Sequence, residues 1–135
     1  MGLKDKHQSF YKNQTYFQSF RHAFHGFRDL WVEERNFSFH IKMGLLVILL
    51  GLLLKINLND WLWLLLCILA VISSEIINTL FERTSDLIVG NHYNDLVKKI
   101  KDVAAANVVI AAIFAVVVGC IIFIPIIIKL ILNWR

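Results

Sequence analysis

Five polar side chains recur within an otherwise largely apolar stretch of the sequence: Glu75, Asn78, Thr79, Glu82 and Asp86. On an α-helix turning about 100° per residue they fall at about 0°, −60°, +40°, −20° and +20°, so all five share one face. Carboxylates gathered this way can act as hard oxygen ligands for a cation, as a general base, or as both. They cannot face lipid, because one acidic residue near the centre of a membrane span costs about 2.5 to 3.5 kcal/mol. The stripe must look at protein, water or a bound cation. Polar glue between helices is the bland use of such a face, and five groups on one stripe are more than that use asks for.

The elements that must carry this stripe are membrane helices. The chain has 135 residues, of which 58% are hydrophobic and 18% charged, a balance foreign to soluble domains. Its net charge of +4 does not signal nucleic acid, since the basic residues flank long apolar runs instead of forming a block. Three spans are predicted, at about 41–57, 61–81 and 103–128. The first is short between Lys42 and Lys55, whose side chains can snorkel to lengthen it. The third holds no charge from Val103 to Ile128, and Pro125 lies near its end, where a kink is tolerable.

Ahead of the first span, Phe17, Phe20, Phe24, Phe27 and Trp31 follow one another three or four residues apart. This predicts a helix over about 15–33 with an aromatic stripe. Its other faces carry Arg21, His22, His25, Arg28 and Asp29, the pattern of a helix lying in the membrane interface. Packing on the protein's own core is the alternative, and one helix can do both. Residues 1–14 are expected to be a flexible segment, and 15–135 a single membrane domain. Seven lysines and arginines precede the first span (Lys4, Lys6, Lys12, Arg21, Arg28, Arg35, Lys42), and four more lie between Glu82 and Asp102 (Arg83, Lys98, Lys99, Lys101). The far side keeps only Lys55, Lys129 and Arg135. By the positive-inside rule the N-terminus is cytoplasmic and the C-terminus extracytoplasmic.

Other residues carry less. Cys67 and Cys120 sit in apolar runs and are read as unbridged. No cleaved secretory signal is visible, so the N-terminal segment is expected to be retained. The scattered histidines (7, 22, 25, 40 and 92) make no metal site. Trp61, Trp63 and Trp134 fit an outer aromatic belt, and Gly90-Asn91 a turn.

Depth then narrows the chemistry. Glu75 lies about 21 Å along the helix from Trp61 and Glu82 about 31 Å, which puts Glu75 just below the inner headgroups and Glu82 at the interface. A lipid hydroxyl and a cytosolic nucleotide can meet there. Phosphoryl transfer from ATP needs hard oxygen ligands for Mg²⁺, a positive group near the phosphates and a group that positions or deprotonates the hydroxyl. Glu82, Lys101 and Glu75 are candidates for these roles in that order. Lys101-Asp102 read alone is a simple charge pair at a membrane end.

Together, Glu75-Ile-Ile-Asn78-Thr79-Leu-Phe-Glu82, then Asp86, then Lys101-Asp102-Val-Ala-Ala, resemble the signature of the prokaryotic diacylglycerol kinase and undecaprenol kinase family. Glu34-Arg35-Asn36-Phe37 is similar to its Gram-positive branch. The resemblance covers about residues 15–128. It implies an all-α membrane kinase, homotrimeric, with one surface helix and three spans per chain. It also implies ATP-dependent phosphorylation of a lipid alcohol at the cytoplasmic face: undecaprenol, with diacylglycerol as the alternative. By motif, Glu75 would be the base and Glu34 and Glu82 the metal ligands for Mg²⁺. Asn78, Asp86, Lys101 and Asp102 would bind or orient the nucleotide. Ser74 and Asn78 are the candidates for holding the lipid headgroup. No soluble-kinase glycine loop is present. Arg83-Thr84-Ser85 and Asn107 depart from the family's usual residues. A non-enzymatic membrane protein, such as a transporter subunit or assembly factor, is the rival class. The broken helices or repeats of a transporter are not visible.

Overall fold

The computed structural model describes residues 16–90 and 92–133. Four helices follow one another: α1 (Tyr16–Glu33), α2 (Arg35–Leu53), α3 (Leu58–Val89) and α4 (Asp95–Asn133). No strand occurs among the described residues. The last three are long and apolar enough to cross a membrane. The expectations for residues 1–14, for Asn91 and for Trp134 and Arg135 fall outside the described residues.

Helix α1 is described from Tyr16 to Glu33, and a single residue separates it from α2. Glu34 leaves helical geometry there, at φ −104° and ψ 105°. Its amide donates to Leu30 O at 3.0 Å and its carbonyl accepts from Ser38 N at 3.1 Å, so both helices share its backbone. The aromatic stripe of α1 is exposed along Phe17, Phe20 and Phe24. At its C-terminal end Phe27 meets the fully buried Phe37 of α2 edge-on, with ring centroids 5.2 Å apart. Lys42 stands 5.8 Å over the Trp31 ring, a cation–π contact that ties the two helices.

Helix α2 ends at Leu53, four residues before the predicted limit of the first span. The reason is local: Lys55 takes φ 50°, a left-handed conformation that ends a helix. Ile56 N then donates back to Gly51 O at 3.2 Å. Asn57 caps α3 through its side chain, which accepts from Asp60 N at 3.0 Å. Close packing follows at this corner. A Cβ on Gly51 would lie 3.0 Å from Trp61 Cη2 and 3.1 Å from Ile56 Cδ1. Trp61 therefore packs against the small core of Ile56, Leu64 and Ile122 as well as standing at a span end.

Helices α3 and α4 run well past the predicted spans, so the 82–102 connection is mostly helical. Gly90, at φ 57°, stops α3, and Asn94 Oδ1 accepts from Leu96 N at 2.9 Å to start α4. α4 continues through Pro125 to Asn133. Both cysteines are free thiols. The face that α3 buries is one seam, Leu64, Cys67, Val71, Glu75, Asn78 and Ser85, spaced by three, four or seven residues, with Thr79 beside Asn78. It is apolar up to Val71 and polar from Glu75 onward.

Candidate active site

Helix α3 delivers the whole predicted stripe without a break, and the stripe emerges gradually from the protein. Glu75, Asn78 and Thr79 are buried, at 3%, 5% and 2% exposure. Glu82 is partly buried, and Asp86 is exposed. A charged group sunk this far is costly unless it is paired or used, which makes the buried end of the stripe the candidate site.

Two acidic neighbours act on the Glu75 carboxyl through space, Glu82 from its own helix and Glu34 from the α1–α2 junction. The fold thus brings Glu34, 41 residues away in sequence from Glu75, to the two carboxylates of α3. Asn78 links two levels of the stripe: its Nδ2 donates to Glu82 Oε1 at 3.0 Å. Since a carboxylate only accepts, the amide must face Glu82 with its NH₂ group. Asn78 Oδ1 is left buried with no partner, which costs about 1 to 3 kcal/mol unless a donor arrives. Ser74, half-buried, adjoins Glu75 in sequence.

A second cluster lies farther along α3. Lys101, on α4, is ion-paired with Asp86. Lys98 Nζ bonds Asp102 Oδ2 at 2.9 Å across one helical turn. Asp86, Lys98, Lys101 and Asp102 line one open hollow of 460 Å³, with Tyr93 at its edge. The Tyr93 hydroxyl donates to Asp95 Oδ1 at 2.9 Å, a bond that raises the phenol above its ordinary range.

Sequence reasoning missed two of the cations here. Lys98 was legible, because Lys98 and Asp102 are i and i+4. Arg83 was visible only as a departure from the family pattern. Its guanidinium bonds Glu34 Oε1 through Nη2 at 2.8 Å and Nε at 3.2 Å, and Glu33 Oε2 through Nη2 at 2.9 Å. These pairs span 49 and 50 residues, beyond any local spacing rule.

The residues present suit a divalent ion held jointly with a nucleotide. Among the described residues no group of three or more His, Cys, Asp or Glu is arranged to hold a metal. Mg²⁺ is commonly bound by one or two carboxylates together with substrate phosphates. Glu82, fixed by Asn78, and Glu34 are carboxylates of that kind.

Comparison with known proteins gives this arrangement its class. A sequence model of the family described as prokaryotic diacylglycerol kinase matches residues 21–123. The chain is 36% identical over 110 residues to the undecaprenol kinase of Bacillus subtilis (strain 168), covering 82% of this chain and 89% of that protein. It is 38% identical over 107 residues to a diacylglycerol kinase of Synechocystis, covering 79% and 61% of the two. A diacylglycerol kinase of Escherichia coli K12 is 30% identical over 100 residues, covering 74% and 81%. The chain is a multi-pass membrane enzyme that transfers phosphate from ATP to a lipid. It belongs to the prokaryotic diacylglycerol kinase family.

Proposed function

We propose that this kinase phosphorylates undecaprenol to undecaprenyl phosphate at the cytoplasmic face of the membrane, as a homotrimer with Mg²⁺. The observation that carries the reading is the depth gradient along α3, from buried Glu75 to exposed Asp86. It offers a lipid hydroxyl and a water-soluble nucleotide two ends of one site.

In this reading Glu75 accepts the proton of the lipid hydroxyl as its oxygen attacks the terminal phosphorus of ATP, and ADP leaves. Ser74 and Asn78 flank Glu75 and hold the headgroup, the Ser74 hydroxyl being able to donate to the lipid oxygen. Asn78 also fixes the Glu82 carboxylate. Lys101 turns from Asp86 to the phosphates, and Asp86 and Asp102 orient Lys101 and Lys98 around the hollow. Glu34 and Glu82 would hold Mg²⁺, which would offset charge developing on the transferred phosphoryl group. Helix α1, with its aromatic stripe exposed, lies in the cytoplasmic interface, and the C-terminus is extracytoplasmic.

The lipid assignment draws on the likeness to the Bacillus undecaprenol kinase and on the neighbours of Glu75, Ile76 and Ile77 among them, which supply few donors. A polyprenol has one hydroxyl and no esters to satisfy. Diacylglycerol is the second reading, favoured by the names of the Synechocystis and Escherichia relatives. The test is transfer of radiolabel from γ-labelled ATP to undecaprenol in mixed micelles by purified protein. A labelled product running with undecaprenyl phosphate is expected, and its absence would exclude the assignment.

A further inference from the structure

Among the described residues, Arg83 is a cation beside the three-carboxylate cluster that the proposed reaction leaves without a role. Both Nε and Nη2 converge on a single oxygen, Glu34 Oε1, at 3.2 and 2.8 Å. Nη2 also reaches Glu33 Oε2. The guanidinium therefore fastens the α1–α2 junction to α3, at the residue next to Glu82. Glu34 and Glu82 both lie near enough to act on Glu75, and a cation held at Glu34 offsets part of that concentration of negative charge.

We infer that Arg83 is a stand-in cation for the metal at Glu34: it holds the carboxylate in position in the nucleotide-free enzyme and must release Oε1 before a divalent ion can take it. The inference rests on the reading of Glu34 as a metal ligand. Two features make Arg83 suited to the exchange. Arginine stays protonated at any working pH, so the competition does not switch off. The side chains of Arg83 and Glu34 are 44% and 27% exposed, and ion pairs that are open to water are weak, so the guanidinium can swing out at little cost. Arg83 is thus a positioning residue: it keeps Glu34 aimed at the site and opposes metal loading without nucleotide.

The test measures Mn²⁺ binding to the purified full chain in detergent, without nucleotide, from the loss of the free-ion electron paramagnetic resonance signal. Arg83→Gln is expected to bind Mn²⁺ roughly two- to fivefold more tightly than the parent, the range set by the strength of an exposed ion pair. Arg83→Lys keeps the charge and should stay near the parent. Glu34→Gln should bind more weakly, and adding Arg83→Gln to it should then change nothing further. Melting temperatures of the same variants separate a structural role, which would lower the melting temperature of Arg83→Gln and leave Mn²⁺ affinity unchanged or reduced. That result would overturn the inference, as would equal tightening with and without Glu34. If Glu34→Gln leaves Mn²⁺ affinity unaltered, the reading of Glu34 as a ligand fails first and the role of Arg83 falls with it. If Glu34→Gln weakens binding while Arg83→Gln does not tighten it, only the stand-in role fails.

Discussion

The ammonium of Lys101 on α4 is ion-paired with the carboxylate of Asp86 on α3, across the turn that joins the two helices. The pair is open to water, with side chains 32% and 61% exposed, so it contributes at most about 1 kcal/mol to stability. In the proposed reaction its worth lies in what Lys101 does when phosphates arrive. Lys101→Met should lower kcat/KM for ATP roughly 10- to 100-fold, the range for losing a hydrogen bond to a charged group. The melting temperature in detergent should hardly move. Steady-state kinetics and thermal unfolding of one preparation check both halves.

Glu75 and Glu82 have separate jobs in the proposed reaction. Glu75→Gln should reduce turnover by about 10² to 10⁴, the usual contribution of a general base, while calorimetry shows MgATP binding nearly unchanged. Glu82→Gln should instead raise the Mg²⁺ concentration needed for half-maximal rate. Parent-like turnover by Glu75→Gln would remove it as the base.

Packing at the α2–α3 corner gives a stability prediction independent of the chemistry. A side chain on Gly51 would press on Trp61 and Ile56, so Gly51→Val should cost about 1 to 3 kcal/mol through overpacking. Gly26 is an exposed position of α1, where an added Cβ would meet nothing within 4 Å. Gly26→Ala should be neutral or slightly stabilising, since alanine is the better helix former. Thermal melts of the two variants read the contrast directly.

The proposed orientation, with the N-terminus cytoplasmic, rests on the distribution of lysine and arginine. After replacement of Cys67 and Cys120, single cysteines at Lys6 and Asn133 should react differently with an impermeant thiol reagent on intact cells. Labelling at Asn133 alone is expected, and labelling at Lys6 alone would invert the topology.

Much of the fold was legible because it rests on local pattern. The 3.6-residue period fixed the α3 stripe, and the aromatic spacing of three and four residues is that of the helix α1. The end of α2 was not legible: it depends on the backbone of Lys55 and on the cap at Asn57, in a run where snorkelling of Lys55 would equally have let the span continue. The site divides in the same way. Asn78 to Glu82 and Lys98 to Asp102 are i, i+4 bonds that helical spacing anticipates. Arg83 to Glu34 depends on how the α1–α2 junction docks against α3, which no spacing encodes. Resemblance supplied Glu34 as a candidate, but not its guanidinium partner.

The identity of the lipid is the central claim, and a direct comparison of substrates tests it. In the proposed reading a mostly apolar lining near Glu75 would grip an acyl or prenyl tail with little specificity, so discrimination should come from the headgroup and be modest, about 10- to 200-fold. Purified enzyme in mixed micelles, given undecaprenol or diacylglycerol at equal mole fraction, should show the higher kcat/KM with undecaprenol and a lower but measurable value with diacylglycerol. A higher kcat/KM with diacylglycerol would contradict the account.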